Sequence, residues 1–140
     1  MPAASMARVL IDDSKWPLVL IVWPEHPVTD EDIDAFVAER RAQLPRGPHV
    51  TLHLTEGGSG LGSKQRRRMA SYLDEDTEKV RGRLLASALV APKPVIRGMI
   101  TAITWLTSPP FPQRVFADRP SAEAWLAEVL EEAGTPAPGE

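Results

Sequence analysis

The sequence has no cysteine, which removes disulfides, thiol catalysis, thiolate metal sites and cysteine-bound iron–sulfur clusters from its chemistry. A strong net charge is also missing. The 16 lysines and arginines against 19 acids leave a formal charge of -3, so no nucleic-acid partner is expected. The most apolar stretch, Leu18 to Trp23, is far shorter than the ~20 residues that span a bilayer. The N-terminal MPAASMARVLI lacks the basic and then apolar regions of a secretory signal. A cytoplasmic protein without membrane insertion is the expectation. Catalytic signatures are equally scarce: there is no G-x-S-x-G elbow, H-E-x-x-H pair or glycine-rich dinucleotide fingerprint.

What is present suits one globular domain. With 140 residues, 43% of them hydrophobic and 25% charged, the chain can bury a single compact core. A domain over 6–132 is expected, with flexible ends at 1–5 and 133–140. Arginine outnumbers lysine twelve to four, a high-GC coding bias that points to a bacterial source.

Two β-rich runs, Arg8 to Asp12 and Trp16 to Trp23, flank the turn-forming Asp13, Ser14 and Lys15 and read as a hairpin, with Pro17 marking the second strand as an edge. Thr29 ahead of Asp30, Glu31 and Asp32 is a helix start. Ile33, Phe36, Val37, Arg40 and Leu44 then recur at helical spacing, their apolar members forming one stripe. In PHVTLHLTE, Val50, Leu52 and Leu54 alternate with His49, Thr51, His53 and Thr55, as in a strand with two unlike faces. A helix follows from about Lys64 to Leu73, with Met69, Tyr72 and Leu73 inward, then a short turn near Lys79 to Arg83. Leu84 to Val90 is nearly all apolar and reads as a central strand covered on both faces. Ile96, Met99, Ile100, Ile103 and Leu106 mark another helix, Arg114 to Ala117 a last strand, and Asp118 caps a closing helix over Ala122 to Glu132. The order β-β-α-β-α-β-α-β-α predicts an α/β fold: a mixed sheet of about five strands with four to five helices.

The stretch EGGSGLGSKQRRRMASYL, Glu56 to Leu73, sets glycines against a basic run. A phosphate-binding Walker A loop needs G-x-x-x-x-G-K-[ST]; here Ser63 precedes Lys64, so lysine and hydroxyl are transposed and nucleotide hydrolysis is not expected. Three readings remain: a turn before a solvated basic face, a docking loop for a protein, or a weak anion site at a helix start. Of the three histidines, His26 lies in a proline-flanked loop, and His49 and His53 stand roughly 13 Å apart along a strand, too far for one metal ion. They read as surface or half-buried side chains, and neither a metal nor a cofactor is expected. The acids Asp74, Glu75, Asp76 and Glu78 read as a solvated helix end. Arg97 opens a helix and suits a salt bridge, or contact with an anion or partner. The tryptophans at 16, 23, 105 and 125 read as core anchors, with an alternative for Trp105: an exposed apolar lip shared with Pro109, Pro110 and Phe111.

Two segments carry a family resemblance. VIRGMITAITWLTSPPFPQRVFADRPSAEAWL, Val95 to Leu126, resembles SpoIIAA-like domains of the STAS superfamily, relatives of the anti-anti-sigma factors and of the CRAL-TRIO lipid-binding fold. GGSGLG, Gly57 to Gly62, is similar to the DSSGLG motif of anti-anti-sigma factors, whose first serine accepts phosphate. Here Gly57 and Gly58 replace the aspartate and that serine, so the switch is lost or moved to Ser59. The resemblance implies a non-enzymatic regulatory or scaffolding module that binds another protein, or its own kind, through Gly58, Ser59, Gly60, Lys64, Arg66, Arg67 and Arg68. It also implies an alternative, a carrier of a small hydrophobic or anionic ligand. A pocket beneath the helix Val95 to Leu106 favours the carrier; a cavity-free core favours the docking module.

Overall fold

The apolar runs become five strands of one sheet, and their order in space is their order in the chain, β1-β2-β3-β4-β5. The computed structural model describes residues 9–24, 28–55 and 63–135. His26, the loop carrying Gly57, Gly58, Ser59 and Gly60, and the termini at 1–8 and 136–140 lie outside the described residues. β1 (Leu10–Lys15) runs antiparallel to β2 (Leu18–Trp23). β3 (His49–Thr55), β4 (Leu84–Val90) and β5 (Gln113–Phe116) then join β2 in parallel. The mixed α/β sheet expected from the sequence is therefore present.

The hairpin turn lies later than its polar residues suggest. Asp13, Ser14 and Lys15 belong to β1, and the chain reverses at Trp16 and Pro17, where a residue without an N–H cannot extend a ladder. Nor is β2 an edge: it lies between β1 and β3, and the Pro17 carbonyl accepts from the Val50 N–H at 2.9 Å.

Helices fill the gaps between parallel strands: α1 (Asp30–Gln43), α2 (Ser63–Glu75), α3 (Thr77–Val80) and α4 (Pro94–Thr107), with α5 (Arg119–Glu132) after β5. α1 starts as expected, since Thr29 Oγ1 accepts from the Asp32 N–H and the Asp32 carboxylate accepts from the Thr29 N–H. Asp118 likewise accepts from the Ser121 N–H at 2.9 Å and caps α5.

The alternation in β3 divides the core in two. Val50 and Leu52 point into a cluster with Leu18, Ala86, Ala88 and Val90, and every helical side chain buried there, Ala122, Leu126 and Leu130, comes from α5. Val19, Ile21 and Trp23 of β2 pack on the opposite side against Ile33, Phe36 and Val37 of α1, with Met69 and Tyr72 of α2 alongside. α1 and α2 are further joined by Arg68, whose Nε and Nη2 donate to both oxygens of Asp34 at 2.8 and 2.9 Å.

α4 forms at the expected helical spacing but leaves part of its apolar surface uncovered. Met99 is 49% exposed, Trp105 82% and Leu106 86%. The helix packs on β5, a strand of only four residues at the sheet edge, which offers too little surface to cover an apolar face of this length.

Candidate functional site

On the α1 and α2 side, β3 presents a polar row, and its two histidines are held in opposite tautomers. The indole Nε1–H of Trp23 donates to His53 Nδ1 at 2.9 Å. Indole nitrogen can only donate, so the neutral ring carries its proton on Nε2. Burial, helped by the Arg40 charge, pushes the His53 pKa down to about 3. Four residues earlier, His49 Nδ1 lies 2.9 Å from the Gly47 carbonyl, which can only accept, and His49 Nε2 lies 2.8 Å from Arg40 Nη2, which can only donate. His49 is therefore the Nδ1–H tautomer, with its pKa pushed down to about 4, chiefly by burial. Gly47 meets this geometry at φ 118, a backbone region that favours glycine. His49 is fully buried, with Trp16 stacked on it at 4.8 Å, whereas His53 is half-buried.

Arg40 is the inward residue of the α1 stripe that is not apolar. Its Nη1 donates to Gln43 Oε1 at 2.7 Å and its Nη2 to His49. Both partners are neutral, and Arg40 makes no ion pair among the described residues. Burial alone pulls its pKa down to about 10, so it stays charged at neutral pH. Two of the five guanidinium N–H donors are thus used.

Arg40 and His53 border a cavity of about 260 Å³ between the sheet, α1 to α3 and the segment after α4. Phe36, Val37, Leu44, Met69, Leu73 and Phe111 make most of its wall apolar. The polar groups are few: Arg40, Arg41, His53, the Thr51–Ser87 hydroxyl pair at 3.0 Å, Gln113, Tyr72, and Asp76. Asp76 accepts from Arg41 Nε and Nη2 at 2.7 and 3.1 Å, and Tyr72 donates to Asp34 at 2.8 Å. His53 Nε2–H is left as a donor with no partner among the described residues.

Among the described residues, those singled out from the basic run do not line this cavity. Gly58, Ser59 and Gly60 lie outside the described residues. Lys64 reaches Asp30 at 3.3 Å and Arg68 grips Asp34, so both basic groups are spent on α1. Arg66 is half-buried on α2 and Arg67 exposed. Arg97 makes no salt bridge among the described residues; its Nη1 donates to the carbonyls of Ala91 and Pro92 at 3.0 and 2.9 Å, tying the start of α4 to the end of β4, and its side chain borders a surface hollow along α4. Asp76 is buried and paired rather than solvated. Of the tryptophan lip, Pro109 and Phe111 border the cavity while Trp105 faces outward. A hollow of about 540 Å³ does lie against α4, lined by Pro94, Arg97, Gly98, Thr101, Trp105 and Val115, and the mainly apolar cavity beneath α1 and α2 is a second one that was not expected. Its one signal in the sequence was Arg40, a cation at an inward position of an apolar helix stripe.

Compared with known proteins, the chain matches no protein-family model, no curated protein and no solved structure.

Proposed function

We propose that this domain is a non-enzymatic binder of a small, largely apolar molecule, held in the cavity between the sheet and α1 to α3. The observation that carries this reading is the cavity itself, about 260 Å³ with mainly apolar walls and a few convergent polar groups, the usual make-up of a ligand site. A water occupies about 30 Å³ in the liquid, so the space matches a ligand of about eight to ten non-hydrogen atoms. The polar lining argues against catalysis. Thr51 is bonded to Ser87, Asp76 to Arg41 and Tyr72 to Asp34, which leaves no nucleophile beside a base. His53, with a pKa of about 3, is a weak base at neutral pH.

Calorimetric titration with 1-octanol tests the reading. Wild type should bind with a dissociation constant in the micromolar to millimolar range, on the order expected for so few atoms. Val37→Phe, which fills the cavity from α1, should weaken binding at least tenfold while leaving the circular dichroism spectrum unchanged. No binding to wild type, or equal binding to the variant, would end the proposal.

A second reading, the STAS-type regulatory module that binds another protein or its own kind, is favoured by one observation. α4 exposes Val95, Met99, Trp105 and Leu106, at 75%, 49%, 82% and 86%, and apolar patches of this kind mark interaction surfaces. For self-association, sedimentation velocity should give a concentration-dependent dimer that Trp105→Ser abolishes; a wild type that stays monomeric rejects that form.

A further inference from the structure

We infer that the ligand of this cavity carries a carboxylate, with Arg40 as its counter-ion and His53 Nε2–H as a second donor; this deepens the binding proposal and rests on it. A partly buried guanidinium with only neutral partners is costly, because a charge drawn out of water is normally paired with an opposite one. Around Arg40 those partners are Gln43 Oε1 and His49 Nε2. The one carboxylate bordering the cavity, Asp76, is held by both Arg41 nitrogens at 2.7 and 3.1 Å. The cavity therefore offers one uncompensated positive charge, three unused guanidinium N–H donors and the unpartnered N–H of His53.

A carboxylate fits that inventory. It brings one negative charge and two acceptor oxygens, and guanidinium matches its planar geometry. A phosphate dianion would bring a second charge into walls made mostly of Phe36, Val37, Leu44, Met69, Leu73 and Phe111. An amine would meet Arg40 with like charge. The size estimate leaves room for a short apolar chain behind the carboxylate, so the ligand class is a small amphiphilic monocarboxylic acid.

Octanoate, 1-octanol and octylamine share a chain and differ in head group, so calorimetry at pH 7 with all three separates head from tail. Wild type should prefer octanoate over 1-octanol by at least tenfold, and octylamine should bind weakest. Arg40→Met should erase the octanoate preference while 1-octanol still binds. Octanoate and 1-octanol of equal affinity, or a preference that survives Arg40→Met, would overturn the carboxylate assignment and leave the cavity reading standing. Failure of both 1-octanol and octanoate to bind would end both. Should Arg40→Met not fold, the wild-type ranking decides, and octylamine binding as tightly as octanoate counts against the assignment.

Discussion

The indole N–H of Trp23 on β2 donates to Nδ1 of His53 on β3 over 2.9 Å, tying the apolar side chains of β2 to the polar row of β3 on one face of the sheet. This one bond sets which nitrogen of His53 carries the proton.

Opposite tautomers follow for the two strand histidines. Long-range ¹⁵N–¹H spectra at pH 7 should show His53 protonated at Nε2 and His49 at Nδ1. Two identical tautomers would contradict the bonding to Trp23, Gly47 and Arg40.

Stability should fall on mild acidification. Folded pKa values of about 4 for His49 and about 3 for His53 lie below the ordinary value near 6.5, so the unfolded chain binds protons that the fold refuses. The stability these rings contribute is intact above pH ~6.5 and is lost as the pH drops toward the folded values. For buried His49 the full loss is on the order of 3 kcal/mol. The carboxylates of Asp12, Asp34 and Asp118, whose pKa values are lowered, act in the same direction but in a window below pH ~3.9. Urea midpoints should therefore be lower at pH 5 than at pH 7.5, and equal midpoints would exclude histidines held neutral by the fold.

Truncating the α5 side of the core should cost far more than truncating α4. Leu126 is fully enclosed among Val50, Leu52, Ala86 and Ala88, so Leu126→Ala should lose about 2–5 kcal/mol through lost contacts and a residual void. Leu106, 86% exposed, should change stability by less than about 0.5 kcal/mol as Leu106→Ala. Chemical denaturation of both variants makes the comparison, and similar losses would contradict the exposure of α4.

Acrylamide quenching should single out Trp105, at 82% exposure against 6% for Trp23. Trp105→Phe should remove the most readily quenched share of the fluorescence. A variant quenched as strongly as wild type would mean that Trp105 is covered in solution.

Local signals carried most of the architecture. Thr29 and Asp118 are caps whose side chains bond within three residues, and Leu84–Val90 coincides with β4 because a run apolar at all but Ser87 is best covered on both faces. The alternation of β3 separated its faces correctly, since side-chain direction in a strand is fixed by position. The cavity was less legible. It arises where Arg40 of α1, Leu73 of α2, Ser87 of β4 and Phe111 after α4 fail to fill the space between them, a property of tertiary distances that no window of sequence contains. The ion pairs of the basic run were hidden for a similar reason: Lys64 and Arg68 look free until α1 brings Asp30 and Asp34 beside them. The α4 stripe had the right period but, beside a strand as short as β5, no surface to meet.

One face of the sheet depends on the final helix of the fold. Val50, Leu52, Ala86 and Ala88 are covered by Ala122, Leu126 and Leu130, all from α5. During synthesis the strands that own those side chains leave the ribosome before their cover exists, so the nascent domain passes through an interval with half its core facing water. Closure waits for translation to pass α5, and a message broken off before Arg119 would yield a sticky fragment rather than a smaller working domain.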